Sequence, residues 1–411
     1  MDLPTSYIVN ASAELERANA FSNVIRLMRV PVNSFGTSAT SSPLRDFAVV
    51  YPWVLASNAT VRDFSAECWL TARDMYEAGR ADNSTDGVPV GAIQSDWPGT
   101  HIVTHSSAAA IAACGGAPPQ PPNNGNESWP YWPSALHNAM IAPLTVGPLA
   151  ASAFIFHQGE ADVHTPETVE IYECRLRALV ADWRETMGAW PGAFFGITML
   201  APYAGDCGGA GDWGCVDGLP ALRAAQLRVG LTTPNATVAI STDLGDPQAP
   251  AGSVHSRRKS EVAARLAAGF AAVRWGAAST MGPVYGPLYE SATDASSSSG
   301  GALTADVSFL PSSCSGGLQL VLSEPWTSAC PVNASASAPA LSECAWFALR
   351  GAATGWHNAS VAVLNNTAVR LSVEGVNDAA VATAFGQSAY PVTVLFSVSG
   401  ALPVAPWNET I

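Results

Sequence analysis

Between residues 64 and 275 the chain repeats one hydropathy pattern: a short apolar run that breaks into glycine or polar residues, then an amphipathic helix. FSAECWLTARDMYEAG (64–79) is helical in its periodicity, and VPVGAIQSDWPGTHI (88–102) follows it as a strand with a polar end. ASAFIFHQGE (151–160) is a second such strand. It leads into PETVEIYECRLRALVADWRETMG, where Val169, Tyr172, Leu176, Leu179, Val180 and Trp183 share one helical face. GAFFGITMLAP and TVAISTDLGD supply two more strands, and SEVAARLAAGFAAV one more helix. Strands alternating with helices predict a parallel sheet covered on both faces. After about residue 283 the texture changes. SATDASSSSGG is followed by short β-type runs (ADVSFL, LQLVL, SVAVL, AVRLSV, VTVLFSV) separated by Gly, Pro, Asn and Ser. The expected organisation is an α/β domain over 1–283 and a β-sandwich-like domain over 284–411.

Composition narrows the function classes. The net charge is −14, and Lys259 is the only lysine, so a phosphate backbone would be repelled and nucleic acid is excluded as a partner. No apolar stretch is long enough to span a membrane. Eight cysteines lack the double C-x-x-C spacing of a zinc site, which favours disulfides; Cys207 and Cys215, closing a Gly-rich loop, are the expected pair. Nine Asn-x-Ser/Thr sequons predict N-linked glycans and a secreted or lysosomal location, although the first residues, MDLPTSYIVN, do not form a signal peptide. The histidines lack metal-ligand spacing, so neither a metal nor another cofactor is expected.

In an open α/β sheet, ligands collect outside the carboxyl ends of the strands. Ser95, Asp96 and Gly99 end one strand, His157, Gln158 and Glu160 a second, and His255 in GSVHSRRK follows a third. An imidazole, a carboxylate and amide donors in one cleft are the parts for acyl transfer.

These same stretches carry a family resemblance. FHQGEADV…YECRLRALVADWRETM resembles the W-x-Q-G-E-S/A…Y…L-I-x-D-W-R block of the sialate O-acetylesterases, which are SGNH-type carbohydrate esterases. GAIQSDWPGTHI is similar to their S-x-W-G-G-T block, LRAAQ to R-x-x-Q, and DLGDPQAPAGSVHSRRKSEVAARLA to D-L-G-D…G-S-I-H-P-R-x-K…R-L. The blocks occur in family order, ending with ALPVAPW. The resemblance implies a three-layer α/β/α SGNH-hydrolase-like domain that removes acetyl groups from O-acetylated carbohydrate, sialic acid or a related sugar, through an acyl-serine.

The resemblance makes His255 the general base. Many SGNH enzymes keep an aspartate three residues earlier, where this chain has Gly252. Glu160 is the candidate triad acid, with Asp246 the weaker one; the plainer reading of Glu160 is a brace for its loop. Gln158, with the backbone N–H of Gly99, is the candidate oxyanion hole, or else a buried amide fixing the loop. Pro98 stands at the first Gly of G-G-T and has no N–H to give. His157 is a candidate substrate contact. Asp182, Trp183 and Arg184 are expected to knit helix to sheet. The family nucleophile, the serine of Gly-Gln-Ser-Asn-Met, aligns two positions ahead of Met1, so the domain is expected to lack its first strand and that serine. Gly386-Gln387-Ser388 repeats the motif superficially but lies among β-runs, away from any strand-to-helix turn. The competing reading is an inactive carbohydrate-binding or interaction protein. His255, Glu160, Gln158 and Gly99 are expected to converge.

Overall fold

The computed structural model describes residues 3–30, 42–47, 52–81, 88–117, 132–147, 149–203, 218–276, 281–296, 301–321 and 347–411. They divide into two compact units. The first holds Met1–Thr198, Arg228–Ala239 and Arg257–Met281; the second holds Met199–Leu227, Ile240–Ser256 and Gly282–Ile411. The unit with the C-terminal strands thus includes two stretches, 199–227 and 240–256, from the region read as α/β in the sequence.

The strands of the first unit are β1 (Ile25–Arg29), β2 (Val54–Leu55), β3 (Val90–Gln94), β4 (Ala153–Phe156), β5 (Phe194–Thr198) and β6 (Ala236–Ala239). Its longer helices are α1 (Ala11–Ala18), α2 (Ala66–Ala81), α3 (Pro166–Met187) and α4 (Lys259–Trp275). Parallel pairing joins β1 to β3, β4 to β5 and β5 to β6, while the short β2 is antiparallel to β1. The sheet order is therefore β2-β1-β3 in one group and β4-β5-β6 in the other. Covering helices explain the near-continuous apolar strands: every residue of β5 and β6 is buried. On α3 Tyr172, Leu176, Leu179, Val180 and Trp183 of the predicted face are buried, and Val169 is half-buried. Trp183 packs among Phe154, Phe156 and Phe195 at ring separations of 5.7–6.1 Å. Backbones approach closely at Gly230, where a Cβ would stand 2.6 Å from Cβ of Val238.

Arg184, in the D-W-R block, donates from Nε to Ala193 O at 2.8 Å and from Nη2 to Asn235 O at 2.9 Å. Asp182 accepts from Ser107 Oγ at 2.8 Å. The motif ties α3 to the chain before β5 and β6, as its position suggested. A disulfide, Cys114–Cys174, fixes α3 to the helix Ala108–Ala113. Cys207 and Cys215 lie outside the described residues.

The second unit is built on an antiparallel sheet of seven strands: β7 (Tyr289–Asp294), β8 (Leu303–Phe309), β10 (Phe347–Gly351), β11 (Gly355–Asn365), β12 (Ala368–Val373), β13 (Ala380–Phe385) and β15 (Trp407–Thr410). A two-stranded sheet, β9 (Leu318–Leu320) with β14 (Leu395–Ser397), accompanies it. Leu303, Val307, Phe309, Phe347, Leu371 and Leu395 are buried in its core. Here the R-x-x-Q block has its use. Buried Arg223 donates to Leu200 O and Ala201 O, and to Ser388 O and Ala389 O. Gln226 accepts the Leu200 N–H. Ser388 is therefore a buried residue whose carbonyl is clamped by a guanidinium, in keeping with its reading as a non-nucleophile.

Candidate functional site

The ends of β3 and β4 bring Gly99, His157, Gln158 and Glu160 into the first unit; His255 belongs to the second. Beyond β3 the chain turns through Asp96–Gly99, with Gly99 at φ 68°, a left-handed conformation that favours glycine. Thr100 Oγ1 closes the turn on Trp97 O at 2.9 Å. Gly99 is exposed, and its N–H has no acceptor among the described residues.

Gln158 is buried, and its amide nitrogen donates to Thr100 O at 2.8 Å and to Asp162 Oδ2 at 2.6 Å. Both partners are acceptors, so the NH2 end must face them and both of its hydrogens are committed. These two bonds are the ones the loop-fixing reading of Gln158 expects. Asp162, fully buried, also accepts from Ile102 N at 2.9 Å and lies 3.2 Å from His101 Nδ1. Burial acts to lower the pKa of His101, but the Asp162 carboxylate outweighs it and raises the value. Asp162 thus ties the two strand-end loops together. Sequence reasoning passed over it because its signal is a single carboxylate in an acidic loop.

A second network surrounds His157. Its Nδ1 lies 2.6 Å from Glu67 Oε2 and its Nε2 lies 3.3 Å from Glu160 Oε1. Glu67 sits in the first turn of α2, receives the Thr198 hydroxyl, and lies 3.4 Å from Nζ of Lys259. All these side chains are buried or nearly so. Burial acts to raise the pKa of both carboxyls, yet the charge and hydrogen bond of His157 hold Glu160 at about 2 and, with Lys259, hold Glu67 still lower. His157 is the hub of a buried charge cluster. Its ring nitrogens are already occupied. The imidazole that Glu160 braces is His157, the contact its plainer reading expects. Glu67 was missed in the sequence, though a carboxylate inside the apolar run AECWL is the kind of buried charge that needs a partner.

His255 ends a turn built by Gly252, whose N–H bonds Ala249 O and whose carbonyl accepts His255 N–H at 2.9 Å. Gly252 has φ 95°, a conformation L side chains rarely adopt, so this turn would strain an aspartate at that position. In its place a backbone carbonyl serves the ring: His255 Nδ1 donates to Ala251 O at 2.8 Å. The carbonyl can only accept, so Nδ1 carries a proton and Nε2 is the nitrogen left to exchange one. Neighbouring Ser256 gives its hydroxyl to Leu244 O at 2.6 Å. Among the described residues no group of His, Cys, Asp and Glu has the arrangement of a metal site.

No family model matches the chain. It is 30% identical over 293 residues to human sialate O-acetylesterase, covering 67% of this chain and 52% of that protein. The mouse sialate O-acetylesterase is 29% identical over 316 residues, covering 67% and 55%. The chain thus spans about half the length of the relatives it matches. A solved carbohydrate acetylesterase from Xanthomonas citri superposes with a TM-score of 0.73 at 23% identity, covering 100% of this chain and 78% of that one. At that identity the likeness establishes the fold. With its strand-end blocks in family order and a curated relative at 30% identity, the chain belongs to the sialate O-acetylesterase family.

Proposed function

We propose that the protein is a carbohydrate O-acetylesterase, acting on O-acetylated sialic acid or a related sugar, with His255 as its general base. The observation that carries the role is the bond from His255 Nδ1 to Ala251 O, which fixes the tautomer with a basic Nε2. In this reading the nucleophile is the serine of Gly-Gln-Ser-Asn, which the family carries immediately ahead of the stretch matching residues 1–30. Nε2 takes the serine proton as the hydroxyl attacks the acetyl carbonyl, then returns it to the departing sugar oxygen. Water, deprotonated by the same nitrogen, cleaves the acyl-serine and releases acetate. The exposed Gly99 N–H is the oxyanion donor. Gln158, Asp162, His157, Glu160 and Glu67 hold the loops that carry it. The substrate is a sugar and not a nucleic acid, consistent with a charge of −14. Secretion or lysosomal delivery with N-glycans is part of the same proposal; Asn10, Asn235, Asn358, Asn365 and Asn408 are exposed sequons.

The test is acetate release from O-acetylated sialic acid by the chain preceded by Gly-Gln-Ser-Asn and by residues 1–411 alone. The proposal expects turnover from the first and a rate lower by orders of magnitude from the second. Saturable sugar binding without turnover by either chain would instead support the inactive binding protein.

A further inference from the structure

Three stretches of the second unit meet at Gly245, in the DLGD block. A Cβ on this glycine would stand 2.5 Å from Oη and 2.8 Å from Cζ of Tyr390, and 3.0 Å from Cβ of Pro202. The two rings leave room there for glycine alone. One residue holds both of them. Arg223 donates to Leu200 O and Ala201 O, on the residues just before Pro202, and to Ser388 O and Ala389 O, on the residues just before Tyr390. Arg223 and Tyr390 are both buried. A planar guanidinium with its donors committed fixes the two segments at one separation.

Gly245 bears on the site through the loop that starts at it. From there to His255 the chain makes turn after turn: Ala249 N–H bonds Asp246 O, Gly252 N–H bonds Ala249 O, and His255 N–H bonds Gly252 O. The far end returns to the start, because Ser256 Oγ donates to Leu244 O at 2.6 Å. The loop thus closes on the Leu244–Gly245 peptide, and both of its ends share that anchor. Its outer part, Gln248 and Pro250–Gly252, is exposed, which leaves the buried anchor to set where the imidazole stands.

We propose that Tyr390, between β13 and β14 of the C-terminal region, is a positioning residue for His255: its ring, held by Arg223, clamps Gly245 against Pro202 and so fixes the loop that presents Nε2. The clamp is steric, so phenylalanine serves in its place and a small or aliphatic side chain does not. The inference rests on the reading of His255 as the base. It gives the C-terminal β-rich region a share in that site, and it accounts for a buried Tyr that stands in none of the family blocks. Catalysis is sensitive to such placement, since a shift of about 1 Å in a reacting group can cost about a hundredfold in rate.

Two readouts keep this inference apart from the esterase reading. The first needs no nucleophile: 15N NMR of the 411-residue chain in alkaline solution, with the His255 signal assigned against His255→Asn. The parent and Tyr390→Phe should show the proton on Nδ1. Tyr390→Ala and Tyr390→Leu, the second of which keeps more of the core filled, should show both tautomers, because a ring freed from Ala251 O can protonate either nitrogen. The second readout is acetate release by the chain preceded by Gly-Gln-Ser-Asn. There Tyr390→Ala and Tyr390→Leu should lower kcat about tenfold to a hundredfold with KM little changed, while Tyr390→Phe stays near the parent. Nδ1–H alone in all variants, or equal turnover by parent, Ala and Leu variants, would overturn the positioning role; a loss in Tyr390→Phe equal to that in Tyr390→Ala would overturn the steric clamp. Mixed tautomers in the Ala and Leu variants with no turnover by the parent would uphold the clamp and overturn the esterase reading alone.

Discussion

At the scale of single residues, the buried cluster around His157 makes the sharpest demands. Removing one partner of a buried ion pair leaves an uncompensated charge and costs about 3–5 kcal/mol. His157→Asn takes from Glu160 its buried ring partner and leaves Glu67 with Lys259 and Thr198 alone, and equilibrium urea denaturation should register a loss of about that size. The same cluster sets a pH dependence. Glu160 has its pKa lowered from 4.5 to about 2 in the folded chain, and Glu67 is lowered too. Their stabilisation is complete above 4.5 and is lost as pH falls toward the folded values, because the unfolded chain then binds more protons. Melting temperature should hold from pH 6 to 5 and drop steeply between pH 4.5 and 2.5, and Glu160→Gln should flatten that slope. At this scale the sequence was half legible. Residues that end strands could be found from hydropathy, as Gly99, Gln158, Glu160 and His255 were. Their partners could not, because Glu67 and Asp162 come from distant positions and reach the site only once helices and strands have packed.

At the scale of elements, two devices fix the helices of the first unit, one to another helix and one to a strand. The Cys114–Cys174 bridge closes a separation of 60 residues. By chain entropy a loop of that length corresponds to about 4 kcal/mol. Cys174→Ser should lower stability by an amount of that order, measured under non-reducing denaturation. Gly230 is the second device, since an added Cβ would meet both the side chain and the backbone nitrogen of Val238. Gly230→Ala should cost about 1–3 kcal/mol through overpacking. Element type was well marked in the sequence: a 3.6-residue period gave α3, and β-branched and aromatic runs gave β4, β5, β8 and β12. Strand pairing was less so. Periodicity says that a strand is buried but not which strand lies beside it, so the break between β3 and β4 has no signature in hydropathy. Disulfide partners are hidden for the same reason, since Cys114 and Cys174 meet only through the packing of α3.

At the scale of the whole molecule, family motifs divide by what they do in the fold. Arg223, Gln226, Asp182 and Arg184 stand in the most recognisable blocks and spend their polar atoms on backbone carbonyls, backbone N–H groups or neighbouring side chains. They identify the family because they build it. His255 is different: its Nδ1 donates to Ala251 O and leaves Nε2 for the role of base that we propose. The proposed chemistry rests on this one imidazole, and the most direct measurement is acetate release from O-acetylated sialic acid by the chain preceded by Gly-Gln-Ser-Asn, with His255 intact or replaced by Ala. The predicted result is turnover by the parent and a loss of three or more orders of magnitude, roughly the cost of removing a triad base, in His255→Ala, with unchanged melting temperature. Equal rates from the two would contradict the assignment of His255 as the general base.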